Sequence, residues 1–157
     1  MIIVGYQGIG KSSYGKDHKD GIDLESSNFF VNGKRDDNWY KVYANIAKHL
    51  SEQGFVVFVS SHKVLRDELR EQGTVFTTVY PALYLKEKWL KKLECRYEET
   101  KKDKDYRAWQ NAQLGYDEQI KDLMQEPDGY AIDSMYYDLG SIISNIKNRY
   151  DSRRNNK

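Results

Sequence analysis

The densest chemistry in the chain lies near its start, where Gly5-Tyr6-Gln7-Gly8-Ile9-Gly10-Lys11-Ser12 fits the pattern G-x-x-x-x-G-K-[ST]. Glycines let such a loop curl so that successive backbone N–H groups point inward and form a concavity for an anion. A helix opening near Lys11 adds the positive end of its dipole. The stretch Gly8, Ile9, Gly10, Lys11, Ser12 and Ser13 is therefore expected to cradle a triphosphate. Lys11 would bridge its β- and γ-phosphates, Ser12 would offer a hydroxyl to magnesium, and Ser13 would reach the α-phosphate. ATP and Mg2+ are the expected ligands.

The acceptor side is sought at the second strand. Gly21-Ile22-Asp23-Leu24-Glu25-Ser26-Ser27-Asn28 places Asp23 and Glu25 near a strand's carboxyl end, where open parallel sheets bind ligands. Alternation points both carboxylates to one side. They either cap the next turn, or Asp23 orients metal-bound water or serves as a base, with Glu25, Ser26 and Ser27 on the acceptor. The third strand ends Val59-Ser60-Ser61-His62, without the aspartate that often orients magnesium there. Asp23 or Asp133 can take its place, or Ser12 and phosphate oxygens can hold the metal. His62 reads as a helix-start residue. Ser61 is counted with the acceptor, and Arg66, one turn further, can clamp an acceptor phosphate in bidentate fashion.

Arg96 and Arg107 flank the polar run from Glu98 to Asp105. That run is either a solvated helix junction whose arginines pair with surface carboxylates, or a mobile lid. A closing lid would bring both arginines to the charge that spreads over a transferring phosphoryl group. Phe29, Phe30, Trp39 and Tyr40 either pack in the core or stack on a base.

Something must hold these residues in place. Short β-branched runs alternate with helical periods, the pattern of a parallel sheet covered by helices. Strands are expected at Ile2 to Gly5, Gly21 to Leu24, Phe55 to Ser60, Val75 to Tyr80 and Tyr130 to Asp133. The third is apolar on both faces, as a mid-sheet strand should be. Asn38 can cap a helix with Trp39, Val42, Ile46 and Leu50 on one face and Gly54 as its stop. A shorter helix follows Ser61 and ends at Gly73. Leu85, Trp89 and Leu93 mark one long helix, and Tyr106, Trp109, Gln113, Tyr116, Ile120 and Leu123 a second. Leu139, Ile142, Ile143 and Ile146 mark the last. Residues 1–150 are expected to form one domain, with 151–157 a flexible tail.

Composition narrows the field. With 31% charged residues, 39% hydrophobic residues and no apolar run near the length of a membrane span, a soluble chain without membrane contact is expected. Met1 opens directly on a strand rather than on a basic, apolar leader, which makes a cytoplasmic location the expectation. One cysteine, Cys95, and three histidines argue against a disulfide framework or a structural zinc site. A net charge of +1 offers no general attraction to nucleic acid. A small-molecule nucleotide is the expected partner.

In its order of parts the chain resembles the nucleoside monophosphate kinase branch of P-loop proteins, the adenylate kinase-like small kinases that include phage enzymes. The resemblance rests on the Gly5-to-Ser12 loop, the acceptor segment after strand two, Arg66 after strand three, and Leu93-Glu94-Cys95-Arg96 leading into the polar run. It implies a three-layer α/β P-loop NTPase fold with a five-stranded parallel sheet in order 2-3-1-4-5. It also implies an acceptor segment at about 23–39, a short lid at about 100–107, and transfer of the γ-phosphoryl of ATP to a nucleoside or deoxynucleoside monophosphate. Lys11, Asp23, Arg66, Arg96 and Arg107 would then be the catalytic set. The chain departs from the family in having Ser60-Ser61-His62-Lys63-Val64-Leu65-Arg66 where Asp-Gly-x-Pro-Arg is expected. Two other readings stay open: a hydroxyl kinase with Asp23 as base, acting on a polynucleotide 5′-hydroxyl or a small metabolite, and a nucleotide-binding regulator without efficient turnover.

Overall fold

A computed structural model describes residues 1–156. Five parallel strands form one sheet: β1 (Ile2–Gly5), β2 (Gly21–Asp23), β5 (Val56–Val59), β6 (Phe76–Pro81) and β7 (Gly129–Ile132). Between β2 and β5 the chain adds a small antiparallel hairpin, β3 (Phe30–Val31) and β4 (Lys34–Arg35). The sheet order is β2-β5-β1-β6-β7. It differs from the expected 2-3-1-4-5 numbering through the unforeseen hairpin, whose two strands take numbers without joining the sheet.

Among the described residues six α-helices flank the sheet: α1 (Lys11–Asp17), α2 (Trp39–Glu52), α3 (Lys63–Glu71), α4 (Lys86–Thr100), α5 (Asp103–Met124) and α6 (Leu139–Asn155). Every residue of β1 and β5 is buried, because helices cover both faces of these central strands. Trp89, Tyr6, Tyr43, Tyr116 and Phe58 are the largest fully buried side chains. Among the tyrosines, Tyr6, Tyr14, Tyr43 and Tyr116 are thus core, and the hydroxyls of Tyr6, Tyr43 and Tyr116 are paired. The Tyr116 hydroxyl donates to Ala82 O (2.8 Å), and Tyr43 Oη donates to Leu24 O while accepting from Ser60 N (3.0 Å).

Two helices, α2 and α6, depart from expectation. In α2 the buried face is Tyr43, Ala44 and Ala47, while Val42 and Ile46 are exposed. The anchored Tyr43 ring rotates the helix off the stripe that hydrophobicity alone marks. The polar run is a helix junction, one of the two readings of it: α4 and α5 meet at a tight turn, with Lys101 left-handed at φ 55°. Asp105 is buried there, accepting from Thr100 Oγ1 and pairing with Arg96 Nε at 3.1 Å. The tail is helical through Asn155, although its side chains stay exposed. Among the described residues no helix is long and apolar enough to cross a membrane.

Candidate functional site

The loop after β1, the carboxyl end of β2, the segment after β5 and the α4–α5 hairpin enclose a cleft of about 390 Å3. Gly8 (φ +90°) and Gly10 (φ +106°) hold conformations that side chains resist. A Cβ on Gly8 would also sit 2.9 Å from Leu93 Cδ2 and 3.1 Å from Trp89 Nε1, so α4 packs against the loop's backbone. The Ile9 side chain is buried in the core.

Lys11 Nζ donates to Gly5 O at 3.1 Å. Burial pushes its pKa down, with Asp23 and Glu25 opposing the shift. Ser12 Oγ donates to Asp23 Oδ2 at 2.9 Å, so the hydroxyl and the carboxylate expected to serve a metal stand side by side at the cleft wall. This pair of hard oxygens suits magnesium, which uses one or two protein ligands and completes its shell with phosphate oxygens and water. Among the described residues no group of three or more His, Cys, Asp or Glu gathers as a metal cage. Asp133, the other candidate, lies off the cleft wall, and its carbonyl accepts from Tyr84 Oη at 2.6 Å.

Glu25, Ser26, Ser27 and Ser61 line the cleft as well. Glu25 pairs with Lys104 at 3.2 Å and accepts from Ser27 Oγ at 3.2 Å. Burial raises its pKa, but Lys104, Ser27 and Lys11 outweigh that and hold the carboxyl below its usual range. Ser13 is exposed and lies off the cleft wall, because the turn of α1 carries it outward.

Arg66 departs most from expectation. It is buried and lies off the cleft wall, with its guanidinium bonded to Asp122, to Glu126 (2.6 Å) and to Ser61 O (3.1 Å). Asp122 and Glu126 draw it toward the end of α5, so it ties α3 to α5 instead of facing a ligand. His62, at the start of α3, lines the cleft with Ser60 Oγ 2.8 Å from Nδ1. Burial, then Arg35, Lys11 and Arg66, lower its pKa to about 4, which makes it a neutral ring at pH 7.

The cationic position at the far end of the cleft belongs to Arg35, which sequence reasoning passed over. Arg35 Nη2 donates to Ser26 Oγ at 3.0 Å, and its guanidinium lies 4.5 Å from the ring centres of both Phe30 and Trp39. Its Nε is buried with no partner among the described residues. Arg107 reaches the same place from α5, 5.8 Å from the Phe30 ring. Burial and the Arg107 charge both lower the Arg35 pKa. Neither guanidinium has a carboxylate within ion-pair distance among the described residues. The missed signal was Val31-Asn32-Gly33-Lys34: Asn-Gly between extended residues marks a two-residue hairpin, and Asn32 (φ 54°) and Gly33 (φ 77°) have the positive angles it needs. Of the three arginines expected at the site, Arg96 and Arg107 line the cleft.

Comparison with family models, with curated proteins and with solved structures finds no match to this chain.

Proposed function

We propose that this chain is a P-loop phosphotransferase that moves the γ-phosphoryl group of magnesium-bound ATP onto a nucleotide, a nucleoside or deoxynucleoside monophosphate. The observation that carries the reading is one cleft with anion-binding chemistry at both ends. The glycine-rich loop with Lys11 and Ser12 occupies one end, and the carboxylate-free pair Arg35 and Arg107 over Phe30 occupies the other. Each of these like charges repels the other, as the lowered Arg35 pKa reflects, and an anion bound beside them relieves that repulsion.

In the proposed reaction an oxygen of the acceptor phosphate attacks the γ-phosphorus. The bond to the β–γ bridging oxygen breaks and ADP leaves with that electron pair. The acceptor is already ionised, so no base is required. Lys11 holds the β- and γ-oxygens, and Arg35 and Arg107 hold and align the acceptor phosphate. Arg96, tethered by Asp105, lines the same cleft and supplies a cation for the charge that develops on the moving group. Ser12 and Asp23 would hold magnesium, which would supply positive charge to neutralise part of that on the phosphates. Phe30 offers a flat apolar face at the acceptor end.

The hydroxyl-kinase reading asks Asp23 to reach an acceptor proton. Its bond to Ser12 Oγ favours the metal role instead. The deciding test is ADP release from magnesium-ATP against nucleoside monophosphates, nucleosides and 5′-hydroxyl oligonucleotides, with Lys11→Ala as the blank. Release that depends on a monophosphate is expected. Arg35→Met should raise the acceptor KM roughly 10- to 100-fold, the loss of one charge-assisted hydrogen-bonding group, and leave ATP affinity unchanged. ATP binding without acceptor-dependent release would mark a regulator.

A further inference from the structure

Two side chains that lie off the cleft wall grip the phosphate loop by its carbonyls, and a third backs one of them. Trp89 Nε1 donates to Gln7 O at 2.9 Å. The Tyr137 hydroxyl donates to Ile9 O at 2.8 Å and lies 3.3 Å from Gly8 O. Lys92 Nζ in turn donates to the Tyr137 oxygen at 2.7 Å and sits over the rings of Trp89 (4.4 Å) and Tyr137 (4.8 Å). In a trans peptide the C=O of one residue and the N–H of the next point opposite ways. Anchoring the carbonyls of Gln7 and Ile9 therefore fixes the N–H groups of Gly8 and Gly10 in the opposite sense. Neither N–H has an acceptor among the described residues, and both glycines line the cleft.

We propose that Lys92 and Tyr137 are positioning residues for polyphosphate: the ammonium, acting through the tyrosine hydroxyl, keeps the loop's N–H groups turned toward the cleft and makes nucleotide affinity depend on the charge of Lys92. The proposal rests on the reading of the loop as a nucleotide cradle. Lys92 faces Arg96 and Trp89 on its own helix, Tyr137 from the β7–α6 connection, and the Gly8 and Ile9 carbonyls beyond it. Among the described residues it has no carboxylate within ion-pair distance. Burial, and then Arg96, push its pKa down to about 8. A bound polyphosphate favours the charged form, so binding takes up a proton once Lys92 has begun to lose it. Affinity is then full below pH 8 and falls as pH rises beyond it, by up to about tenfold per unit. Lys11, whose pKa burial also lowers, contributes its own fall, so the relay is read from the difference between variants.

The test is calorimetric titration of the full chain with magnesium-ADP from pH 7 to pH 9.5, in buffers of different ionisation enthalpy and with a thermal melt of every variant. The wild type should show proton uptake above pH 8. Lys92→Met and Tyr137→Phe should bind roughly tenfold more weakly at pH 7.5, the loss of one hydrogen-bond link. Lys92→Met should also lose the extra pH slope. Lys92→Arg should keep the affinity at pH 7.5 and flatten the slope, an outcome that a purely structural role does not produce. Wild-type affinity and slope in Lys92→Met, or an unchanged slope in Lys92→Arg, would overturn the relay alone. No binding by the wild type would overturn the nucleotide reading and the relay with it.

Discussion

Removing the Arg66 guanidinium separates a structural tie from a substrate clamp. In Arg66→Met the stem is replaced by a side chain of similar length, and the charge is lost beside Glu126, whose side chain is only 5% exposed. Removing one partner of a buried ion pair costs about 3–5 kcal/mol, because the other charge stays desolvated. Glu126 keeps Arg70, itself 45% exposed, so the lower end applies. The Asp122 contact adds little, since that carboxylate is 43% exposed and well screened. The expected loss is about 3 kcal/mol. For a chain of this size it lowers Tm by roughly 6–12 °C. Urea unfolding followed by circular dichroism measures the loss, and titration with ATP and with the monophosphate acceptor measures any effect on ligands. Below the transition, Arg66→Met should bind both ligands as the wild type does. Arg66→Met combined with Glu126→Met should regain part of the stability, because no buried charge is left unpaired. A variant that melts with the wild type and has lost acceptor affinity would refute the argument and return Arg66 to the cleft.

Three further outcomes are expected. Asp23→Asn should raise the magnesium concentration for half-maximal ADP release about tenfold, a charge-assisted contact of about 1.4 kcal/mol, and leave turnover at saturating magnesium within about tenfold. A loss of several orders at saturating magnesium would instead assign Asp23 the role of base toward a hydroxyl. Gly8→Ala forces a Cβ into φ +90° against Leu93 and Trp89, and should cost about 1–3 kcal/mol in urea unfolding together with most of the nucleotide affinity. Gly54→Ala has a similar φ of +97° but open space around it, and should lower stability without touching affinity.

The contrast between Arg66 and Arg35 marks where sequence reasoning stops. By spacing, Arg66 is the clamp, one helical turn past His62. The same position also faces Asp122 and Glu126, more than fifty residues away in the chain, and the buried carboxylate claims the guanidinium. Arg35 carried no motif, yet the Asn32-Gly33 turn folds it back over Phe30 and toward Arg107. A similar long-range contact set the face of α2. Val42 and Ile46 had the right period, and the hydroxyl of Tyr43 chose a different side.

What the sequence determined by itself was local. Glycines at Gly8 and Gly10 permit the backbone angles of the loop, the alternation of β-branched runs with helical periods implies a parallel sheet, and Gly54 and Gly73 end their helices with positive φ. Each of these follows from the torsional freedom of one residue or from periodicity along a short stretch. What only the tertiary structure decided was which charges meet. Arg96 turns to Asp105, Lys104 to Glu25, Arg66 to the end of α5, and Arg35 and Arg107 repel one another with no carboxylate paired to either among the described residues. A long cationic side chain reaches many partners, and its choice depends on which of them the fold desolvates.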